Sequence, residues 1–258
     1  IGIIYDKMIF IEYCYNTMRD YKLSVPLDLG SITLGQYQDY LKILDKWDGE
    51  DDVYLQIKIL QIFCGLSPDF INDLPIHSFE STITHITGLF NSDTPFISKF
   101  TMNGKNSVGD ETSVEFGFIP KLDDLSFGEF IDLDKYLQVW DDMHKAMAVL
   151  FRPVFQKKKE YYLIDKYEGS SKYSEVMKDM PLSVALGATV FFYRLGTKLQ
   201  SYTLDYLEEQ IMKEKDNPQV SKLISEENGV GISQYTHSLK ETLEESMKLQ
   251  KPVFISAL

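Results

Sequence analysis

The chain has 258 residues, 44% of them hydrophobic and 13% aromatic, enough to bury a core in one large domain or two small ones and too apolar for a disordered chain. A formal net charge of −13 opposes general electrostatic binding to nucleic acid or anionic lipid. The two cysteines, Cys14 and Cys64, each lie in an apolar run and read as buried free thiols rather than a disulfide framework or a zinc site.

In chain order, residues 3–19 carry apolar side chains on all sides and fit either helix or strand. Charges at Asp6, Lys7 and Glu12 argue against a signal peptide or a transmembrane span. The run "KLSVPLDL" is extended, because Pro26 disfavours helix at Val25. A helix follows from a cap at Thr33 through Tyr37, Tyr40, Leu41 and Leu44. A second covers 52–64 with Leu55, Ile59, Ile62 and Phe63 inward, and a third begins after Pro75. "PFISKFTMNG" and "SVEFGFIP" predict a β-hairpin with a mobile tip over 103–113. A helix then passes through Tyr136, Trp140 and Met147. "AVLFRPVFQ" and "EYYLIDKYEG" predict a second hairpin around Lys157, Lys158 and Lys159, with Pro153 placing its first strand at a sheet edge or ending it. A short helix over 173–179 precedes Pro181, which opens the most apolar helix in the chain, expected to be buried and central over about 181–207. Beyond it the sequence is charged. Tyr235, Leu239, Leu243 and Met247 recur at four-residue steps as a thin apolar stripe, suited to docking on the parent domain or on a partner.

The fold class that results is α+β, predominantly helical, with two β-hairpins and a buried central helix. The domain reading is an N-terminal segment 1–23, a main body 24–205 and a charged helical arm 206–258.

One local pattern occurs twice. "ITLGQY" (32–37) and "LSFGEF" (125–130) align position by position, and each carries a capping-box pair, Thr33 with Gln36 and Ser126 with Glu129. Ile32 and Leu125 sit where a hydrophobic staple would, and Gly35 and Gly128 occupy the second helical position, where a missing Cβ admits another backbone. The shared part reads as a way of starting a helix.

Acid is concentrated: residues 110–142 hold ten acids against two lysines, a net −8, and residues 45–52 add −4. Asp123, Asp124, Glu129, Asp132, Asp134, Asp141, Asp142 and His144 are the metal candidates by composition. The EF-hand and H-E-x-x-H spacings are both absent. Only Asp132 and Asp134, which the upstream echo lacks, remain as weak candidates against a plain reading as solvated surface. His77 and His85 have no third ligand in sequence. Cys64 lacks a nucleophile signature, and "GVGIS" near 229 lacks the context of a phosphate loop. No catalytic residue, metal site or cofactor site is assigned, and none is expected.

Three segments together, "EFGFIPKLDDLSFGEFIDLDKY" with "VWDDMHKAMAVLFRPV", "YLIDKYEG" and "MPLSVALGATVFFYRLGTKL", resemble uncharacterised proteins encoded by tailed bacteriophages near their virion structural and assembly genes. "VPLDLGSITLGQYQDYLKI" fits the same pattern, and the resemblance spans about 24–205. The basic residues are mostly Lys, with arginine only at Arg19, Arg152 and Arg194, a composition that fits an AT-rich phage genome. The resemblance implies a non-enzymatic virion component of the head, portal or tail region, located in the particle or the host cytoplasm. Its partners would be other phage structural proteins or further copies of itself, with no nucleic acid and no membrane. A tail-assembly chaperone absent from the finished particle is the alternative, and a metal-dependent enzyme using 123–142 is a second. Candidate contact residues are Tyr235, Leu239, Leu243, Met247, Lys157, Lys158 and Lys159.

Overall fold

The computed structural model describes residues 2–5, 8–14, 20–105, 111–122, 125–158, 161–192, 194, 202 and 209, with side chains from Leu23 onward except at residues 104, 105, 111, 112 and 158. Two compact units are resolved, Ile1–Gly187 and Ala188–Ala257. The division falls within the helix read over 181–207. The described residues of the second unit are all helical.

The first unit opens with three strands, β1 (Gly2–Tyr5), β2 (Met8–Cys14) and β3 (Asp20–Pro26), paired antiparallel in the order β1-β2-β3. Of the two alternatives for 3–19, the described residues 3–5 and 8–14 adopt strand. The boundary drawn at 23/24 cuts through β3, whose Leu23 and Val25 are buried. α1 (Leu34–Leu44), α2 (Asp52–Cys64), a short α3 (Pro68–Asn72) and α4 (Ile76–Leu89) follow. α2 starts on an Asp51 cap and ends at Gly65, whose φ of +67° is the left-handed conformation glycine adopts without strain. Its buried residues are Leu55, Ile59, Leu60 and Phe63, so Leu60 takes the inward place expected of Ile62. α1, α2 and α4 enclose an aromatic cluster in which Tyr37 stacks on Phe90 and meets Trp140 edge-on, and Tyr40 and Phe90 both tilt against Phe63. His85 of α4 donates from Nε2 to the Pro26 carbonyl at 2.9 Å, tying the helices to β3.

A four-stranded antiparallel sheet forms the second half in the order β4-β5-β6-β7, from β4 (Lys99–Lys105), β5 (Glu111–Phe118), β6 (Phe151–Lys158) and β7 (Tyr161–Ile164). These are the two predicted hairpins, joined edge to edge. Residues 106–110 of the first hairpin tip lie outside the described residues. Pro153 sits in an inner strand, not at an edge. It is tolerated because its carbonyl accepts from Asp165 N–H, just past the end of β7, where the ladder no longer needs a Pro153 donor. The register shift between Val154 and Gln156 leaves Phe155 unmatched as a bulge.

Between β5 and β6 the chain forms α5 (Phe127–Tyr136), a 3-10 turn at Trp140–Asp142 and α6 (Met143–Leu150). The single helix expected through Tyr136, Trp140 and Met147 is thus broken. The break lets α5 and α6 pack against each other. α6 is buried along almost its whole length. It ends at Phe151, whose ring meets Phe100 and Phe118, each at 5.3 Å, at the centre of the sheet's core. After β7 come a 3-10 turn at Ser170–Lys172, α7 (Ser174–Met177) and α8 (182–192). Leu182, Val184, Ala185 and Leu186 are buried, so the start of α8 has the central place expected of it.

Close approach fixes one residue of α8. A Cβ placed on Gly187 would lie 2.4 Å from the Pro95 carbonyl oxygen, a backbone atom that cannot rotate away. Gly187→Ala is expected to lower stability by about 1–3 kcal/mol through overpacking, seen as a lower urea midpoint with an unchanged slope.

Candidate functional site

The two sequence echoes start their helices identically. Thr33 and Ser126 are extended, their hydroxyls accept from the Gln36 and Glu129 amides, and those side chains return to the cap's own N–H at 2.9 and 2.7 Å. The far ends of Gln36 and Glu129 then diverge by chemistry. Gln36 uses its amide N–H to donate to the Ile62 carbonyl at 2.8 Å, which a carboxylate could not do. Glu129 turns its second oxygen to Arg152 Nη2 at 2.7 Å, where a charge is needed. Both members of that ion pair are buried, at 5% and 6% exposure. The pair joins α5 to β6.

The surroundings of α1 and α5 also diverge. In α1 the Leu34 amide donates to Met180 O at 2.9 Å and the Gly35 amide to Lys178 O at 2.8 Å. In return, Leu182 N–H donates to Ile32 O at 2.8 Å. Thr33 and Pro181 form an antiparallel bridge, and Ile32, Leu34 and Tyr37 are fully buried. Gly35 suits that close approach, with Lys178 O 3.1 Å from where its Cβ would be. Gly128 has nothing within 4 Å of that point, so the close approach expected at both glycines occurs at Gly35 alone. The staple partner in α5, Phe130, is 57% exposed.

α5 is consequently turned inside out. Its inward face carries Glu129 on Arg152, Leu133, and Asp132, whose carboxylate accepts from the Tyr167 hydroxyl. The Arg152 guanidinium lies over the Tyr167 ring, 5.6 Å from its centre. Burial first, and then the bond to Asp132, push the Tyr167 phenol up, so it stays a donor. The outward face carries Phe127, Phe130 and Ile131, at 79%, 57% and 46% exposure, followed by exposed Asp134. Spacings of three, four and seven residues put these on one stripe. A second group of exposed apolar side chains, Phe155, Tyr161 and Leu163, lies on the β6–β7 hairpin.

Asp132 and Asp134 do not converge: one binds Tyr167 and the other faces outward. Among the described residues no three His, Cys, Asp or Glu side chains are placed to hold a metal ion. Asp123 and Asp124 lie outside the described residues. Asp142 pairs with Lys145 at 2.6 Å. His77 is exposed and His85 holds Pro26, so the two do not form a ligand pair. Cys64 is half-buried, not fully buried as expected, and carries no disulfide. Burial pushes its thiol to about 12, which keeps it protonated and poorly nucleophilic. The Cys14 side chain lies outside the described residues. Lys157 pairs with Glu115 at 2.7 Å. Lys158 is described only as a strand residue opposite Tyr161, and Lys159, Tyr235, Leu239, Leu243 and Met247 lie outside the described residues. No helix among the described residues is long and apolar enough to cross a membrane.

His144 of α6 is a further buried titratable group. Gln38 Nε2 donates to the Trp140 carbonyl at 2.7 Å and the Asp141 carbonyl at 3.1 Å, which fixes its amide orientation. The same nitrogen lies 3.1 Å from His144 Nδ1 and cannot accept, so Nδ1 is the unprotonated nitrogen and shares the two amide hydrogens with those carbonyls. Burial, with the Lys178 and Lys145 ammonium groups opposing Glu175 and Asp142, holds its pKa below 6.5. The unfolded chain therefore takes up this proton at higher pH than the folded one. The stability His144 contributes is complete above about pH 6.5 and is lost as pH falls through the lower folded value. Thermal melts from pH 7.5 to 5.5 are expected to show a steeper decline for the wild type than for His144→Gln, whose amide oxygen accepts the same bond without titrating. Parallel declines would contradict this assignment.

The chain matches no family model, no curated protein and no solved structure.

Proposed function

We propose that this chain is a non-enzymatic structural or assembly protein of a tailed bacteriophage, working through protein–protein contacts in the head, portal or tail region of the particle. The observation that carries the contact reading is the reversed α5. A helix that turns Glu129 and Asp132 inward and two phenylalanines and an isoleucine outward leaves apolar surface that burial against another protein would remove from water. The exposed aromatics of the β6–β7 hairpin supply further anchors of the kind protein interfaces favour. The phage assignment rests on the segments between residues 24 and 205 that resemble phage-encoded proteins.

Mass spectrometry of purified tailed particles whose genome encodes this chain tests the assignment. The chain is expected among the particle proteins at a fixed ratio to its neighbours. Its presence in the infected host but absence from the particle would overturn the virion reading in favour of an assembly chaperone.

A further inference from the structure

We propose that Gln38 and His144 form an acid-sensitive latch between α1 and the turn at Trp140–Asp142, opened by a single proton on the imidazole while the rest of the fold stays in place.

Three elements meet at this point. Gln38 is buried on α1, and its amide nitrogen reaches the Trp140 and Asp141 carbonyls of the turn and Nδ1 of His144 on α6. One residue earlier, the Tyr37 ring meets Trp140 edge-on. The amide thus serves three acceptors with two hydrogens, and all three lie across the junction from α1. A proton on Nδ1 turns one of those acceptors into a donor facing a donor. Turning the Gln38 amide over does not repair this, because its oxygen would then face two carbonyl oxygens at 2.7 and 3.1 Å. Either carbonyl that the new N–H takes is one that Gln38 gives up.

Charge adds to the conflict. Lys178 and Glu175 face His144 from α7, and Lys145 and Asp142 from its own helix and the residue before it. Glu175 is engaged by Lys178 at 2.8 Å and Asp142 by Lys145 at 2.6 Å, so neither carboxylate is free to answer the imidazolium. Burial disfavours that cation further.

What yields is the turn. It is three residues long, has no side-chain cap and follows Val139, which is 50% exposed. α1 is anchored elsewhere: the Leu34 and Gly35 amides donate to the Met180 and Lys178 carbonyls, and Tyr40 tilts against Phe63. α5 is held by Glu129 on Arg152. Local opening starts where anchors are fewest. Acid therefore parts the turn from α1 and bares the half-buried Trp140 ring without unfolding the helices. The contribution of His144 to the stability of the whole fold requires no such local step.

The test uses the full-length chain carrying Trp47→Phe, which leaves Trp140 as its sole tryptophan. Acrylamide quenching of that fluorescence is followed from pH 7.5 to 5.0 beside far-UV circular dichroism. The Stern–Volmer constant is expected to rise at least about twofold while the circular dichroism holds. His144→Gln in the same background supplies an acceptor that does not titrate, and its quenching is expected to stay flat. Gln38→Ala removes the bonds and leaves the imidazole, and it is expected to be quenched as readily at pH 7.5 as its parent is at pH 5.0. This second variant keeps the test decisive whether or not His144→Gln folds. Flat quenching in the parent, an equal rise in a folded His144→Gln, or a Gln38→Ala as protected at pH 7.5 as the parent would each overturn the latch. So would a rise that coincides with loss of the circular dichroism signal, because the whole fold would then be melting.

Discussion

Arg152→Ala is expected to lower the stability of the fold by about 3–5 kcal/mol, a drop in melting temperature of roughly 10 °C. The guanidinium is buried, pairs with Glu129 and covers the Tyr167 ring, so its removal leaves the Glu129 carboxylate buried without its cation. The loss comes from that stranded charge more than from the pair's net worth, because desolvating both ions offsets much of their attraction. A double variant separates the two. Glu129→Gln keeps an oxygen for the Ser126 amide, as Gln36 does for Thr33, and Arg152→Met keeps an apolar stem against Tyr167. Together they are expected to recover most of what Arg152→Ala loses, measured by urea denaturation. A double variant as unstable as the single one would mean that the charges themselves hold α5 in place.

The second large effect concerns two phenylalanines of opposite purpose. Phe151 is fully buried at the junction of α6 and β6, with rings against it from β4 and β5. Phe151→Ala is expected to cost about 3–5 kcal/mol, through lost transfer energy and the cavity left behind. Phe130→Ala, on the open face of α5, is expected to stay within about 0.5 kcal/mol of the wild type. If Phe130→Ala proved as costly as Phe151→Ala, that ring would be part of the fold and not a contact surface. Both values come from the same chemical denaturation experiment.

Local rules carried much of the fold. Both capping boxes, α2 and α4, the two hairpins and the start of α8 follow from spacing, caps and prolines that act within a few residues. The N-terminal strands did not, because residues 3–19 bear apolar groups on every side and neither period stands out. The break after Tyr136 was hidden because the apolar positions of α5 and α6 can be threaded onto one helix. The site was legible only in its parts. Asp132 could be singled out as an acid the echo lacks, but its partner Tyr167 is 35 residues away and nothing local points to it. Glu129 could be read as a cap but not as the partner of Arg152. Nor could sequence decide which side of α5 faces in. Phe127, Phe130 and Ile131 form the broader apolar stripe, yet Leu133 and the Glu129–Arg152 pair turn the opposite side to the core. A polar face wins the interior here because a buried cation on β6 and a phenol beyond β7 wait to receive its two carboxylates.

The role proposed above, contact within a phage particle, is exercised through the open face of α5. The most direct measurement complements a phage lacking the gene with Phe127→Ser/Phe130→Ser/Ile131→Ser, after a thermal melt has verified that the variant folds as the wild type does. The yield of infectious particles is expected to fall by at least about tenfold, as when exposed anchor residues of an interface are removed without loss of the fold. A folded triple variant that restores wild-type yield would contradict it.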